Sequence, residues 1–181
     1  KIIVTNSQKA RLAVDERYQE RQAQCQEALH DLQTVIAIQN LSELTADVFE
    51  QVQEMIRRPV CLRRARHAVT ENQRTIQAVE ALNKGDIREF GQLMNASHLS
   101  LKEDFEVSCE ELDILVEEAW EIEGVLGSRM MGAGFGGCTI SIVENDAVNE
   151  FVSRVGSHYK ERTGRTAEFY IMETGNGASE V

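Results

Sequence analysis

Residues 130–139 read "MMGAGFGGCT", with four glycines among the six positions from Gly132 to Gly137. Two phosphate-loop patterns are satisfied at once: Gly132, Gly134 and Gly137 have the GxGxxG spacing of dinucleotide folds, and Gly132 to Gly137 the GxxxxG of a P-loop. Neither suits its surroundings. A dinucleotide fingerprint closes a strand and opens a helix whose N-terminus holds the pyrophosphate, yet the following Cys138-Thr139-Ile140-Ser141-Ile142-Val143 reads as a strand. A P-loop places Lys after its last glycine to reach the outer phosphates, and Cys138 stands there instead. What remains is a glycine loop between two extended segments. It either brings backbone N–H groups close to an anion, using the positive φ that glycine allows, or merely turns the chain.

Outward from this loop the pattern is strand, loop, strand, then a helix from Asp146 to Thr163 with Val148, Phe151, Val152, Val155 and Tyr159 on one face. A last strand, Thr166 to Glu173, alternates Ala167, Phe169 and Ile171 on one side. The tail after Thr174 reads as loose. Upstream, Lys1 to Ser7 is a strand, Gln8 to Gln39 a long helix, and Thr45 to Arg57 a second helix stopped by Pro59, the only proline. A third helix runs from Val60 to Leu82, ended by the glycine of Asn83-Lys84-Gly85-Asp86. The fourth carries Ile87, Phe90, Leu93 and Met94. Ser108-Cys109-Glu110-Glu111 has the form of a capping box opening a fifth, with Leu112, Leu115, Val116 and Ala119 as its buried stripe. The fold class is therefore α+β, an antiparallel sheet covered by several helices.

Charge and composition narrow the function. A net charge of -11 disfavours a nucleic-acid or anionic-membrane surface, whose affinity comes mostly from neutralising phosphates. The four cysteines (Cys25, Cys61, Cys109, Cys138) form no CxxC pair, so neither a zinc site nor a disulfide framework is suggested, which favours a reducing cytoplasm. No apolar run approaches the roughly 20 residues that span a bilayer. Beginning at Lys1 inside a strand, the chain reads as the later portion of a longer polypeptide.

Other candidate constellations favour bland readings. His30, His67, His98 and His158 are isolated and read as surface or partly buried helix residues. Arg63-Arg64-Ala65-Arg66-His67 could bind an anion, but a helix face paired with carboxylates such as Glu71 fits better. Glu110-Glu111 and Glu117-Glu118 look like solvated faces. Cys138, at the start of an apolar strand, reads as a small packing residue.

Gly127 to Thr139, "GSRMMGAGFGGCT", resembles the third motif of the GHMP small-molecule kinases, in the form found in galactokinases. The segments "DERYQERQAQC" (Asp15 to Cys25), "RRARHAVTEN" (Arg63 to Asn72), "FGQLMNASHLSL" (Phe90 to Leu101) and "DFEVSCEELD" (Asp104 to Asp113) are similar to galactokinases specifically, in the right order. The resemblance implies a GHMP-kinase C-terminal domain over 1–181, with a ferredoxin-like split βαβ sheet: 1–7 a strand continuing from a missing N-terminal half, 8–123 mainly helical, 124–173 the β-loop-β-α-β. It implies ATP and Mg²⁺ as cofactors, galactose as substrate and transfer of the γ-phosphoryl group to its anomeric hydroxyl. Residues Gly132, Ala133, Gly134, Phe135, Gly136 and Gly137 would line the active cleft beside the phosphates, and Tyr18 would contact the sugar. The catalytic base and its partner arginine would lie in the N-terminal half, and this chain alone would be inactive. An N-acetylgalactosamine kinase or a non-catalytic sugar sensor would share these motifs. Two departures stand out: Met131 where the family usually shows Thr, and Glu110 where it usually shows Pro.

Overall fold

A computed structural model describes residues 1–10 and 14–175. In chain order the elements are β1 (Ile2–Asn6), α1 (Val14–Leu32), α2 (Ala46–Val52), α3 (Pro59–Lys84), α4 (Ile87–Glu103), α5 (Glu110–Trp120), β2 (Val125–Met131), β3 (Cys138–Val143), α6 (Val148–Thr163) and β4 (Glu168–Met172), with 3-10 turns at Leu41–Glu43, Gln53–Met55 and Asn145–Ala147. They divide into two compact units, one of β1 with everything from α5 onward, the other of α1 to α4.

The sheet unit has strand order β2-β3-β1-β4, with every neighbouring pair antiparallel. Both β3 and β4 run antiparallel to β1, so they are parallel to each other. The path β3-α6-β4 therefore steps over β1, which makes it a split βαβ. Counting α5 as the first crossover helix gives βαββαβ, the ferredoxin-like order, with the helical unit inserted between β1 and α5. The period-2 alternation expected of half-covered strands is visible in β1 and β3, where Ile3, Thr5, Thr139, Ser141 and Val143 point inward. Against that face pack Ile114, Leu115 and Ala119 of α5 and Phe151, Val155 and Tyr159 of α6. Gly156 lets α6 come close to β4, since a Cβ there would stand 3.3 Å from the Phe169 ring. Toward β2 the inward face becomes polar: Ser128, Ser141, Thr5 and Thr139 are all buried. The Ser128 and Ser141 hydroxyls satisfy each other at 2.8 Å.

In the helical unit, Ala28, Leu29 and Leu32 of α1 meet Cys61, Ala65 and Val69 of α3, with Phe49 of α2 and Leu41, Leu44 and Ile56 closing the core. Thr45 caps α2 by accepting from the Val48 amide, and Asp86 caps α4 by accepting from Glu89. Gly85 takes the left-handed position between α3 and α4 at φ +71°.

The structure corrects several expectations. The first helix does not begin at Gln8: the chain leaves β1 through an ordered turn at Ser7–Lys9, and α1 ends at Leu32, not Gln39. Pro59 opens α3 at its first position, where its missing N–H costs nothing. The capping box does not form. The N-cap of α5 is Cys109 without a side-chain bond, Ser108 donates to Asp113, and the Glu111 carboxylate takes the Lys9 ammonium, a charged donor, and its own backbone amide. Neither Glu111 nor Glu118 is solvated: each carboxylate is largely covered, and Glu118 takes His158 and Arg162. His67 and His98 are buried, not partly exposed. In β4, an edge strand, Ile171 is exposed although Ala167 is buried. The expected loose tail falls mostly outside the described residues.

Candidate functional site

The glycine stretch is the hairpin loop between β2 and β3, whose register closes at Met131↔Cys138. Five of its six residues have positive φ: Gly132 +77°, Gly134 +82°, Phe135 +58°, Gly136 +128° and Gly137 +87°. A run of this kind is what glycine permits and other residues resist. Phe135 is the exception, and it is buried.

The loop is seated on the turn after β1. The Gly137 carbonyl accepts from both the Ser7 amide, at 2.9 Å, and the Ser7 hydroxyl, at 2.6 Å. Gly136 lies so close to Lys9 that a Cβ would meet the Lys9 carbonyl oxygen at 2.9 Å. The turn itself is held from four sides: Asn6 Oδ1 accepts the Gln8 amide, Arg165 donates to the Gln8 carbonyl, Tyr159 donates to the Ser7 carbonyl at 2.6 Å, and Lys9 Nζ reaches Glu111 at 2.6 Å. Gln8 accordingly holds a left-handed φ of +56°.

Electrostatics at this seat are those of a tight ion pair. Burial pushes the Glu111 carboxyl up, but the Lys9 hydrogen bond, its own backbone amide and the Lys9 charge outweigh this and leave it below its ordinary value. The hydrogen bond to Glu111 raises Lys9. Burial raises the Tyr159 hydroxyl and the thiols of Cys25, Cys61 and Cys109, so none of these thiols is an activated nucleophile. The loop's six residues carry no charged side chain. Its chemical resource is backbone amide and absence of bulk, which suits lining an anion rather than attacking a bond. Among the described residues no group of three or more His, Cys, Asp and Glu could hold a metal ion.

Tyr18 lies in the helical unit, on α1, with about half its surface (47%) exposed. Its ring meets Phe105 edge-on at 6.3 Å, and its hydroxyl makes no hydrogen bond among the described residues. The basic cluster on α3 is a set of structural contacts, as expected, and His67 within it acts electrostatically on Glu71. Arg63 and Arg64 pair with Glu106, and Arg66 with Asp104, while Glu71 takes Arg74 and Ser97. Cys138 is half-buried. Sequence reading missed Ser7, Lys9, Glu111 and Tyr159, because no local signal connects residues separated by 102 to 152 positions.

Residues 78–161 match the family model described as GHMP kinases C terminal. Fold and match together define a C-terminal domain of the GHMP-kinase type. Within that class its likeness is to galactokinases along its whole length. It is 50% identical to galactokinase of Clostridium acetobutylicum over 181 residues, covering 100% of this chain and 46% of that protein. With galactokinase of Fusobacterium nucleatum the identity is 53%, covering 99% and 46%. A crystal structure of Lactococcus lactis galactokinase complexed with galactose matches with a TM-score of 0.93 at 44% identity, covering 99% of this chain and 46% of that one. The chain thus spans about half the length of the relatives it matches.

Proposed function

We propose that the protein carrying this chain is an ATP-dependent galactokinase, transferring the γ-phosphoryl group to the anomeric hydroxyl of galactose to give galactose 1-phosphate. The observation that carries the reading is identity of 44 to 53% with galactokinases over essentially every residue, motif segments and connecting helices alike. The whole chain, 1–181, serves as the C-terminal domain, and the catalytic base and its partner arginine belong to the other half. No described helix is long and apolar enough to cross a membrane, in keeping with a cytoplasmic enzyme of sugar catabolism.

The glycine hairpin fits a role beside the ATP phosphates. Phosphoryl transfer depends on positioning and on stabilising charge spread over the transferred group's oxygens, with little covalent work for the protein. Amides on a rigid, uncharged loop can meet that charge without reorganising, and the absence of side chains leaves the approach open. Tyr18, whose hydroxyl makes no hydrogen bond among the described residues, contributes one to a sugar hydroxyl. Mg²⁺, when bound, would supply positive charge that neutralises the phosphates. Among the described residues no group of three or more His, Cys, Asp and Glu could hold it, and we place its ligands on the nucleotide and the other half of the protein.

The test is ADP release by the full-length protein with Mg²⁺-ATP and galactose, N-acetylgalactosamine, glucose or no sugar. Selective turnover of galactose is expected. Preference for N-acetylgalactosamine, or bound nucleotide without turnover of any sugar, overturns the reading in favour of an N-acetylgalactosamine kinase or a sugar sensor respectively.

A further inference from the structure

Tyr18 has one ring neighbour among the described residues, Phe105, and Phe105 is held unusually firmly for a residue just past a helix end. Three consecutive backbone carbonyls, those of Asp104, Phe105 and Glu106, are each taken by a guanidinium. Arg21 donates Nε to the Phe105 carbonyl at 2.7 Å and a terminal nitrogen to the Glu106 carbonyl at 3.1 Å. Arg64 donates to the Asp104 carbonyl, to the Glu106 carboxylate and, at 2.8 Å, to Gln24 Oε1. Both arginines are buried. The Phe105 ring stacks on His67 at 4.5 Å and 25°, and His67 is fixed in turn by the Ser100 hydroxyl at 3.0 Å. Glu106 sits at φ +53°, a conformation a non-glycine residue keeps only when its surroundings impose it.

The arrangement is economical because Tyr18 and Arg21 are three residues apart on α1 and so share a face. The same helix face that presents the tyrosine ring also grips the backbone that carries Phe105. A half-exposed tyrosine in water would otherwise sample its rotamers freely. An edge-on partner locked from behind removes that freedom.

We infer that Phe105 is a positioning residue for Tyr18: clamped by Arg21, Arg64 and His67, it fixes the tyrosine ring so that the hydroxyl is aimed before sugar binds. This rests on the proposed sugar contact of Tyr18. Preorganisation of this kind improves binding by removing the ordering cost from the binding step, and an edge-on ring pair is worth about a two- to ten-fold bias.

The experiment is steady-state kinetics of the full-length protein with Phe105→Leu, which keeps apolar volume but removes the ring, and Phe105→Tyr, which keeps the ring. The expected result is a galactose KM raised about two- to ten-fold by Phe105→Leu, with ATP KM unchanged and the value restored in Phe105→Tyr. In a Tyr18→Phe background Phe105→Leu adds little further, because the hydroxyl it aims is gone. An unchanged galactose KM in Phe105→Leu, or galactose and ATP KM rising together, overturns the inference. So does a full, independent effect in the Tyr18→Phe background. The two readings fail differently: if Tyr18→Phe itself leaves galactose KM unchanged, the sugar contact is wrong and the positioning role falls with it. If Tyr18→Phe raises KM and Phe105→Leu does not, only the positioning role falls.

Discussion

A Cβ on Gly136 would stand 2.9 Å from the carbonyl oxygen of Lys9, closer than real Cβ atoms come to anything. The glycine loop and the turn after β1 thus meet backbone to backbone. Gly136→Ala must displace a main-chain oxygen, not a flexible side chain, and must hold alanine at φ +128°. The backbone strain alone is about 1–3 kcal/mol. Gly85 is the internal control: its φ is +71° and nothing lies within 4 Å of its added Cβ, so Gly85→Ala costs about 1–2 kcal/mol. Urea unfolding should rank Gly136→Ala as clearly the more damaging, and equal midpoints would refute the close seat.

The Lys9 and Glu111 pair beneath that seat makes stability depend on pH at both ends. Glu111 is lowered from 4.5 in the folded chain, so its contribution is present above that value and disappears as pH falls through the lower folded pKa. Lys9 is raised from 10.5, so its contribution is present below that value and disappears as pH rises through the higher folded one. Glu111→Gln should cost about 1 kcal/mol near neutrality, and the deficit relative to the native chain should shrink in acid. A deficit that stays constant from pH 7 to well below pH 4 would show that the charge is irrelevant.

Much of the sheet unit is legible in the sequence, because its signals are local. Four glycines between two alternating segments state a hairpin, and the 3.6-residue stripe of α6 states the crossover. The seat of the hairpin is not legible. Gln8 and Lys9 lack Gly and Pro and so read as the start of a helix, while their turn is held by the neighbouring Asn6 and, from distant positions, by Arg165, Tyr159 and Glu111. The environment of the charges is hidden for the same reason. Glu111 and Glu118 look solvated until the chain brings Lys9, His158 and Arg162 to them. Glu106 likewise takes a left-handed position that sequence would award to glycine, held there by three arginines, Arg21 on its carbonyl and Arg63 and Arg64 on its carboxylate. Only family likeness singles out Tyr18 as a candidate, since its helix gives no sign of an unusual role.

Met131, at the end of β2, offers a way to test the loop's role without disturbing its backbone. Gly134 is buried at φ +82°, so a valine there would damage the hairpin itself. Met131 is partly exposed, and Met131→Thr should change stability by less than about 0.5 kcal/mol. If the hairpin borders the ATP phosphates, the added hydroxyl lowers ATP KM in the full-length protein and leaves galactose KM alone. A shift in galactose KM with none for ATP would place this end of the hairpin beside the sugar instead.

Arg64 is the most deeply buried charge in the helical unit, 1% exposed, and its removal should be costly. Its guanidinium serves Gln24, the Asp104 carbonyl and the Glu106 carboxylate together. Arg64→Met keeps the apolar stem but strands all three. Losing one partner of a buried ion pair typically costs about 3–5 kcal/mol; because Glu106 is half-exposed and can be rehydrated, the lower end applies, about 3 kcal/mol. Arg64→Lys retains the charge yet cannot reproduce the planar fork, so its stability should fall between the two. Thermal unfolding that places Lys level with the native arginine would mean that charge alone holds the 104–106 segment. Lys level with Met would mean that the fork geometry is everything.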